Sequence, residues 1–210
     1  SIARGTLSKE HQLTYDLLSY TIETEIDGLD YALLEEPLVP SIGIQSQLPI
    51  LLAEYAFRTE ADVINYLTLL SCVPKYFDSL LALEEQRIAQ NLFMDKESAD
   101  ELISYCQEFL SEKETHFLTQ TFLERLATLS LSSEQETLYM KEHEKLLTTY
   151  VFPSYERLQS FLTEHRNEGI YKNGLCELPE GTDYYAWLLR SEVGTDKTFE
   201  EIEKLLEAAL

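Results

Sequence analysis

Apolar residues recur three and four positions apart almost from end to end of this chain, from Tyr15, Leu18, Ile22 and Ile26 near the start to Ile202, Leu205 and Leu206 near the finish. That is the period of an α-helix seen from one side, whereas a half-buried strand alternates every second residue. Only 7 Gly and 6 Pro interrupt it among 210 residues. The pattern therefore predicts an all-α fold, a multi-helix bundle or array with one long kinked helix and a short irregular segment near 167–181. The length suits one helical domain spanning 1–210.

Local signals set the expected boundaries. Ser8 can cap a first helix whose stripe runs through Tyr15, Leu18, Ile22, Ile26, Leu29 and Leu33. Gly28 weakens that helix by about 1 kcal/mol without ending it. Pro37 and Pro40 stop it, so "PLVPSIGIQSQLP" reads as an extended loop over 37–49, with a short helix starting at Pro49. Thr59 with Asp62 forms a capping box for a helix burying Val63, Tyr66, Leu67, Leu70 and Val73, and Pro74 marks the start of the next. Helices follow over about 97–111 and 115–129. Ser133 with Glu136 opens a long helix towards Arg166, which Pro153 should kink near Tyr150. Asn173-Gly174 favours a tight turn that could join two very short strands. Thr182 caps "DYYAWLLRSEV", and Thr198 with Glu201 opens the last helix.

Spacing excludes most chemistry. His143-Glu144 begins like the zinc-peptidase motif His-Glu-x-x-His, which puts two imidazoles on one helix face, but the second histidine's position holds Leu147. His11, His116 and His165 offer no substitute pair, so His143 reads as an ordinary helix residue. There is no Glu-x-x-His pair for a di-iron bundle, no phosphate or dinucleotide glycine motif and no Gly-x-Ser-x-Gly elbow. Cys72, Cys106 and Cys176 are odd in number and far apart, which makes buried thiols the default; Cys106 falls on a core face. No catalytic residue and no metal ligand is assigned.

Charge narrows the partners. With 16 basic and 38 acidic residues the formal charge is −22, which repels nucleic acid and anionic membrane surfaces alike. No apolar run is long enough for a membrane span. From Glu10 to Phe57 there is no Lys or Arg, so this region carries a negative field. Its plain reading is solubility, and its sharper one a face that meets something basic, either another part of the same protein or a cationic substrate.

Two loops look too distinctive to be mere connectors. In "SIGIQSQLP", Gln45 and Gln47 would present amides two apart on an extended run. In "LCELPEGTDYYAWLLR", a Pro-x-Gly turn delivers Tyr184 and Tyr185 to a helix N-terminus, with Arg190 two turns on, where an anionic group could be gripped. The plainer reading is a packed anchor with one tyrosine buried and one exposed. These five residues are the candidate substrate contacts.

The run from Gly43 to Met94 beginning "GIQSQLPILLAEYAF", with "YVFPSYERLQSFL" at 150–162 and "LPEGTDYYAWLLRSEVGTDKTFEEIEKL" at 178–205, resembles the bacterial family catalogued as domain of unknown function 885. The resemblance extends from about Leu13 to Leu206. It implies a largely helical, zincin-like metallopeptidase whose zinc helix lies downstream of the part similar to this chain. No residue here matches a zinc ligand of that family, so zinc is expected in the missing C-terminal half, and this segment is expected to hold no cofactor of its own. The chain then reads as a fragment forming a non-catalytic wall of a substrate cleft, with that missing half as partner and a peptide-like substrate. The rival reading is a stand-alone acidic helical interaction module without enzymatic activity. A start without Met or an apolar leader core leaves the compartment open between cell envelope or secreted and cytoplasm.

Overall fold

The computed structural model describes residues 2–111, 113, 115–171 and 174–209. It is an all-α array, with no strand among the described residues. The helices are α1 (Lys9–Gly28), α2 (Ile44–Glu54), α3 (Glu60–Ala89), α4 (Lys96–Ser111), α5 (Phe117–Leu126), α6 (Ser133–Leu146), α7 (Phe152–His165), α8 (Gly181–Glu192) and α9 (Phe199–Ala209). The chain divides into two compact units, Glu36–Ile170 and a second made of Ser1–Glu35 with Tyr171–Leu210.

The central unit, Glu36–Ile170, buries its helical stripes against one another. The Tyr155 ring lies between Phe77, 5.0 Å away, and Phe109, stacked at 4.0 Å. Around them Val63, Leu70, Leu102, Leu118, Phe122, Val151, Leu158 and Leu162 are closed to solvent. The capping box of Thr59 and Asp62 forms as the sequence predicts.

Two prolines behave differently from their local reading, and a third distorts its helix about where expected. The expected extended run stops at Gly43, and Gln45 and Gln47 lie on α2 with Pro49 inside the helix. A proline at position 49 leaves the Gln45 carbonyl without its helical donor. The buried Tyr155 hydroxyl supplies one, donating to that oxygen at 2.7 Å. Pro74 lies within α3 rather than at a new start, because Val63 to Val73 and Phe77 to Leu80 are buried as one continuous face. At Pro153 the predicted distortion takes the form of a π-helical turn, Leu147–Val151, which joins α6 to α7. Ser154 Oγ donates to the Tyr150 carbonyl there at 2.7 Å.

The cap of α6 is Ser132 with Gln135, one residue before the expected pair. Both serines stand three before a Gln or Glu, so the motif alone has two solutions. Cys106 is buried, and burial pushes its thiol up to about 12, but Cys72 and Cys176 are exposed, against the default of buried thiols.

The other unit, called peripheral because it holds both ends of the sequence, is built differently. Ser8 caps α1 as expected, its side chain accepting from the His11 amide. The α-helix gives way at Gly28 to a 3-10 turn, Leu29–Tyr31, so the glycine ends the regular helix instead of only weakening it. A Cβ on Gly28 would come within 2.3 Å of the Trp187 ring, so the close approach of α8 requires glycine. The predicted apolar stripe of α1 is present but not buried: Leu18, Ile22, Ile26 and Leu29 are all exposed. Lys172 and Asn173, the second of which begins the expected Asn173-Gly174 turn, lie outside the described residues; after Gly174 the chain forms a 3-10 turn, Leu175–Glu177, in place of a short strand. Helix α9 has its predicted cap, with Thr198 N–H donating to Glu201 and Glu201 N–H to Thr198 Oγ1, yet none of its described residues is buried.

Candidate functional site

The turn before α8 is forced by close packing. Glu180 adopts the left-handed conformation (φ 59°) and is the N-cap in place of Thr182, because the chain must fold Gly181 against Leu175, whose carbonyl oxygen would lie 1.7 Å from any Cβ added there. Helix α8 then sends its two neighbouring tyrosines in different directions. Tyr184 is buried, stacked on Trp187 at 5.7 Å and beside Tyr31. The Trp187 indole N–H donates to the Thr24 carbonyl at 2.8 Å, and Tyr20 donates its hydroxyl to the Arg190 carbonyl at 2.9 Å. Arg190 pairs with Asp27 at 2.9 Å and reaches Asp196 at 3.9 Å.

Tyr185 faces the other way, 41% exposed, with its ring edge towards Phe199. It borders a cavity of about 780 Å³ between α8 and the start of α9, lined among others by Leu175, Leu189, Arg190, Lys197 and Phe199. Tyr185 and Leu189, one turn apart, give the lining apolar surface, while Arg190 and Lys197 bring two positive charges that Asp196 and Glu200 of the same lining balance. Of the residues singled out in the sequence, Tyr185 and Arg190 line this cavity; Leu189, Lys197 and Phe199, which line it too, were not among them. The four-residue step from Tyr185 to Leu189, and Phe199 at the head of an amphipathic helix, were the available signals.

Gln45 and Gln47 lie in the central unit, apart from the other candidates in the chain's division. Gln45 is buried, its side-chain amide donating to the Val39 carbonyl at 2.7 Å, which ties the Pro37–Gly43 loop to α2. Gln47 is exposed.

The half-motif at His143 has a structural answer. His143 is fully buried, stacked on Phe122 at 4.2 Å, with Nε2 3.3 Å from the Tyr66 hydroxyl. Arg125 lies over the Phe57 and Tyr66 rings of the same cluster. Burial first, and then the Arg125 charge, push the imidazole down to about 3, so it is neutral at pH 7. Nδ1 has no hydrogen-bond partner, but Leu147 fills the place of a second ligand and a cation sits nearby; the donor set does not fit zinc. Among the described residues no three His, Cys, Asp or Glu side chains gather as a group that could hold a metal ion. A second buried ionisable group, unsuspected from sequence, is Glu84, whose carboxyl burial lifts to about 7 despite Arg87 at 3.4 Å.

Among known proteins, a model of a bacterial protein family of unknown function, DUF885, matches residues 1–210. No curated protein matches the sequence. The crystal structure of the "putative lipoprotein" from Colwellia psychrerythraea has a similar fold, with a TM-score of 0.72 at 19% identity. The match covers 80% of this chain and 29% of that one, so the chain spans under a third of that structure's length. No helix among the described residues is long and apolar enough to cross a membrane.

Proposed function

This chain belongs to the DUF885 family, and we propose that it forms a non-catalytic helical wall of the substrate cleft of a zinc-dependent peptidase or related hydrolase. The observation that carries the reading is the open cavity between α8 and α9, where an exposed tyrosine face lies beside two basic and two acidic side chains. Such a surface suits an extended peptide: Tyr185, Leu189 and Phe199 offer an apolar side chain a place to lie, Lys197 attracts a carboxylate or backbone carbonyl, and Arg190, paired with Asp27, holds the rim in place. Tyr184 has a supporting part, since its stack on Trp187 fixes the helix from which Tyr185 projects. Zinc and every bond-making step are assigned to residues outside this chain, in a C-terminal half that closes the cleft.

Titrating the 210-residue chain with short peptides, followed by NMR, tests the proposal. The expected result is weak binding that perturbs residues of the α8–α9 cavity, is lost in Tyr185→Ala, and is accompanied by neither cleavage nor stoichiometric zinc. Hydrolysis by these residues alone, or one tight zinc per chain, would sink it. The gene beyond Leu210 gives a further check, since it should encode a His-Glu zinc helix. The other reading, an acidic helical interaction module, is favoured by one observation, the bare apolar face of α1.

A further inference from the structure

Helix α1 uses the wrong face for a helix that packs within its own unit. Tyr20, Thr24, Gly28 and the following Tyr31 meet α8 through polar groups and close ring contacts. The opposite face carries Leu18, Ile22, Ile26 and Leu29, at 57%, 56%, 58% and 71% exposure. These four step by four, four and three residues, so they form one seam roughly 16 Å long at 1.5 Å per residue. A continuous stripe of large aliphatic side chains on this scale marks an interaction surface more often than an ordinary solvated face.

The rims of the seam say what can cover it. Glu25 stands on one side, Glu23 and Asp30 on the other, and no Lys or Arg occurs between Glu10 and Phe57. Two copies meeting face to face would set these carboxylates against each other, and anionic lipid would be repelled in the same way. A helix whose apolar stripe is edged by Lys or Arg satisfies both the seam and its rims. We propose that the Leu18–Leu29 face of α1 is a docking site for an amphipathic, basic-rimmed helix. The inference does not depend on the cleft-wall reading, which concerns the α8–α9 cavity.

The test uses the 210-residue chain and two synthetic helical peptides with identical leucine stripes, one edged by lysine and the other by glutamate. The lysine-edged peptide should bind, more weakly as salt rises. The double variant I22Q/I26Q keeps every charge and should weaken that binding at least about tenfold. The variant E23K/E25K should reverse the preference towards the glutamate-edged peptide. Because all four positions are exposed, circular dichroism should show the fold intact. Equal binding of the two peptides, or binding unchanged in I22Q/I26Q, would overturn the proposal. So would a dimer of the chain alone that I22Q/I26Q dissolves, or attachment to anionic vesicles through the same residues.

Discussion

The two units draw on the same kind of sequence and use it in opposite ways. In Glu36–Ile170 the residues spaced by threes and fours close on one another, so that Phe77, Phe122, Tyr155 and Leu158 have no measurable contact with solvent. In Ser1–Glu35 with Tyr171–Leu210 the same spacing yields helices held by an indole N–H, a tyrosine hydroxyl and an Arg–Asp pair, while the aliphatic stripes of α1 and α9 face outwards. A helical period states which face of a helix is apolar. Whether this chain contains the cover for that face is a separate fact, decided by tertiary structure.

The sharpest way to break this contrast is to remove a core ring. Phe77→Ala takes away one of the two rings that enclose Tyr155 and leaves a cavity in the central unit, at a cost of about 3–5 kcal/mol in chemical denaturation followed by circular dichroism. Trp187 is the single tryptophan of the chain, so its fluorescence reports the peripheral unit separately. In the unaltered protein the fluorescence midpoint should come at lower denaturant than the helical signal; coincident transitions would show the two units melting as one.

A second test uses the buried imidazole. His143 has a folded pKa near 3 against 6.5 in the unfolded chain, so the unfolded state binds an extra proton between these values. Stability from this residue is therefore complete above pH 6.5 and falls as the pH drops towards 3, by up to about 4 kcal/mol. Glu84 acts in the other sense: its folded value near 7 lies above the ordinary 4.5, so its contribution is greatest below pH 4.5 and is lost as pH rises through 7. Comparing His143→Phe with the parent cancels the Glu84 contribution. The variant should keep the stack on Phe122 and lose stability less steeply on acidification; identical acid limbs would mean that His143 is hydrated and titrates normally.

How much of the fold and the site was legible beforehand depends on where each cause lies. Caps are local, and Ser8, Thr59 and Thr198 were readable as such. Pro49 was not, because the donor that relieves it, the Tyr155 hydroxyl, lies 110 residues away in sequence from the carbonyl it serves. The same fact removed Gln45 and Gln47 from the extended run they had seemed to share. At α8 the tyrosine pair was visible in the sequence, but the side that opens on the cavity depends on Phe199 and Lys197 further along the chain. The negative stretch from Glu10 to Phe57 was plain, whereas the exposed seam inside it could be found only by seeing that α8 takes the opposite face.

In the peripheral unit the tight point is Gly28. Gly28→Ala gains about 1 kcal/mol of helix propensity but drives a methyl into the Trp187 ring. The clash should prevail, with a net loss of about 1–2 kcal/mol and a shifted Trp187 emission, while the central unit's circular dichroism transition stays in place. If the alanine instead stabilises the unit, α8 has room to move and the contact is looser than its geometry implies.

The smallest expected effect is the most informative about the contrast. Ile22 is more than half exposed, so Ile22→Gln removes little buried area and should change stability by no more than about 0.5 kcal/mol, although a core isoleucine would cost several times that. The measurement is a denaturation curve of the 210-residue chain by Trp187 fluorescence. A loss approaching about 2 kcal/mol would mean that something in solution already covers the α1 face, and the curve would then move with protein concentration if the cover is a second copy. An unchanged curve leaves the seam bare in this chain. A bare seam is what the proposed docking of a basic-rimmed helix requires, because a stripe already covered within the chain could not receive a partner.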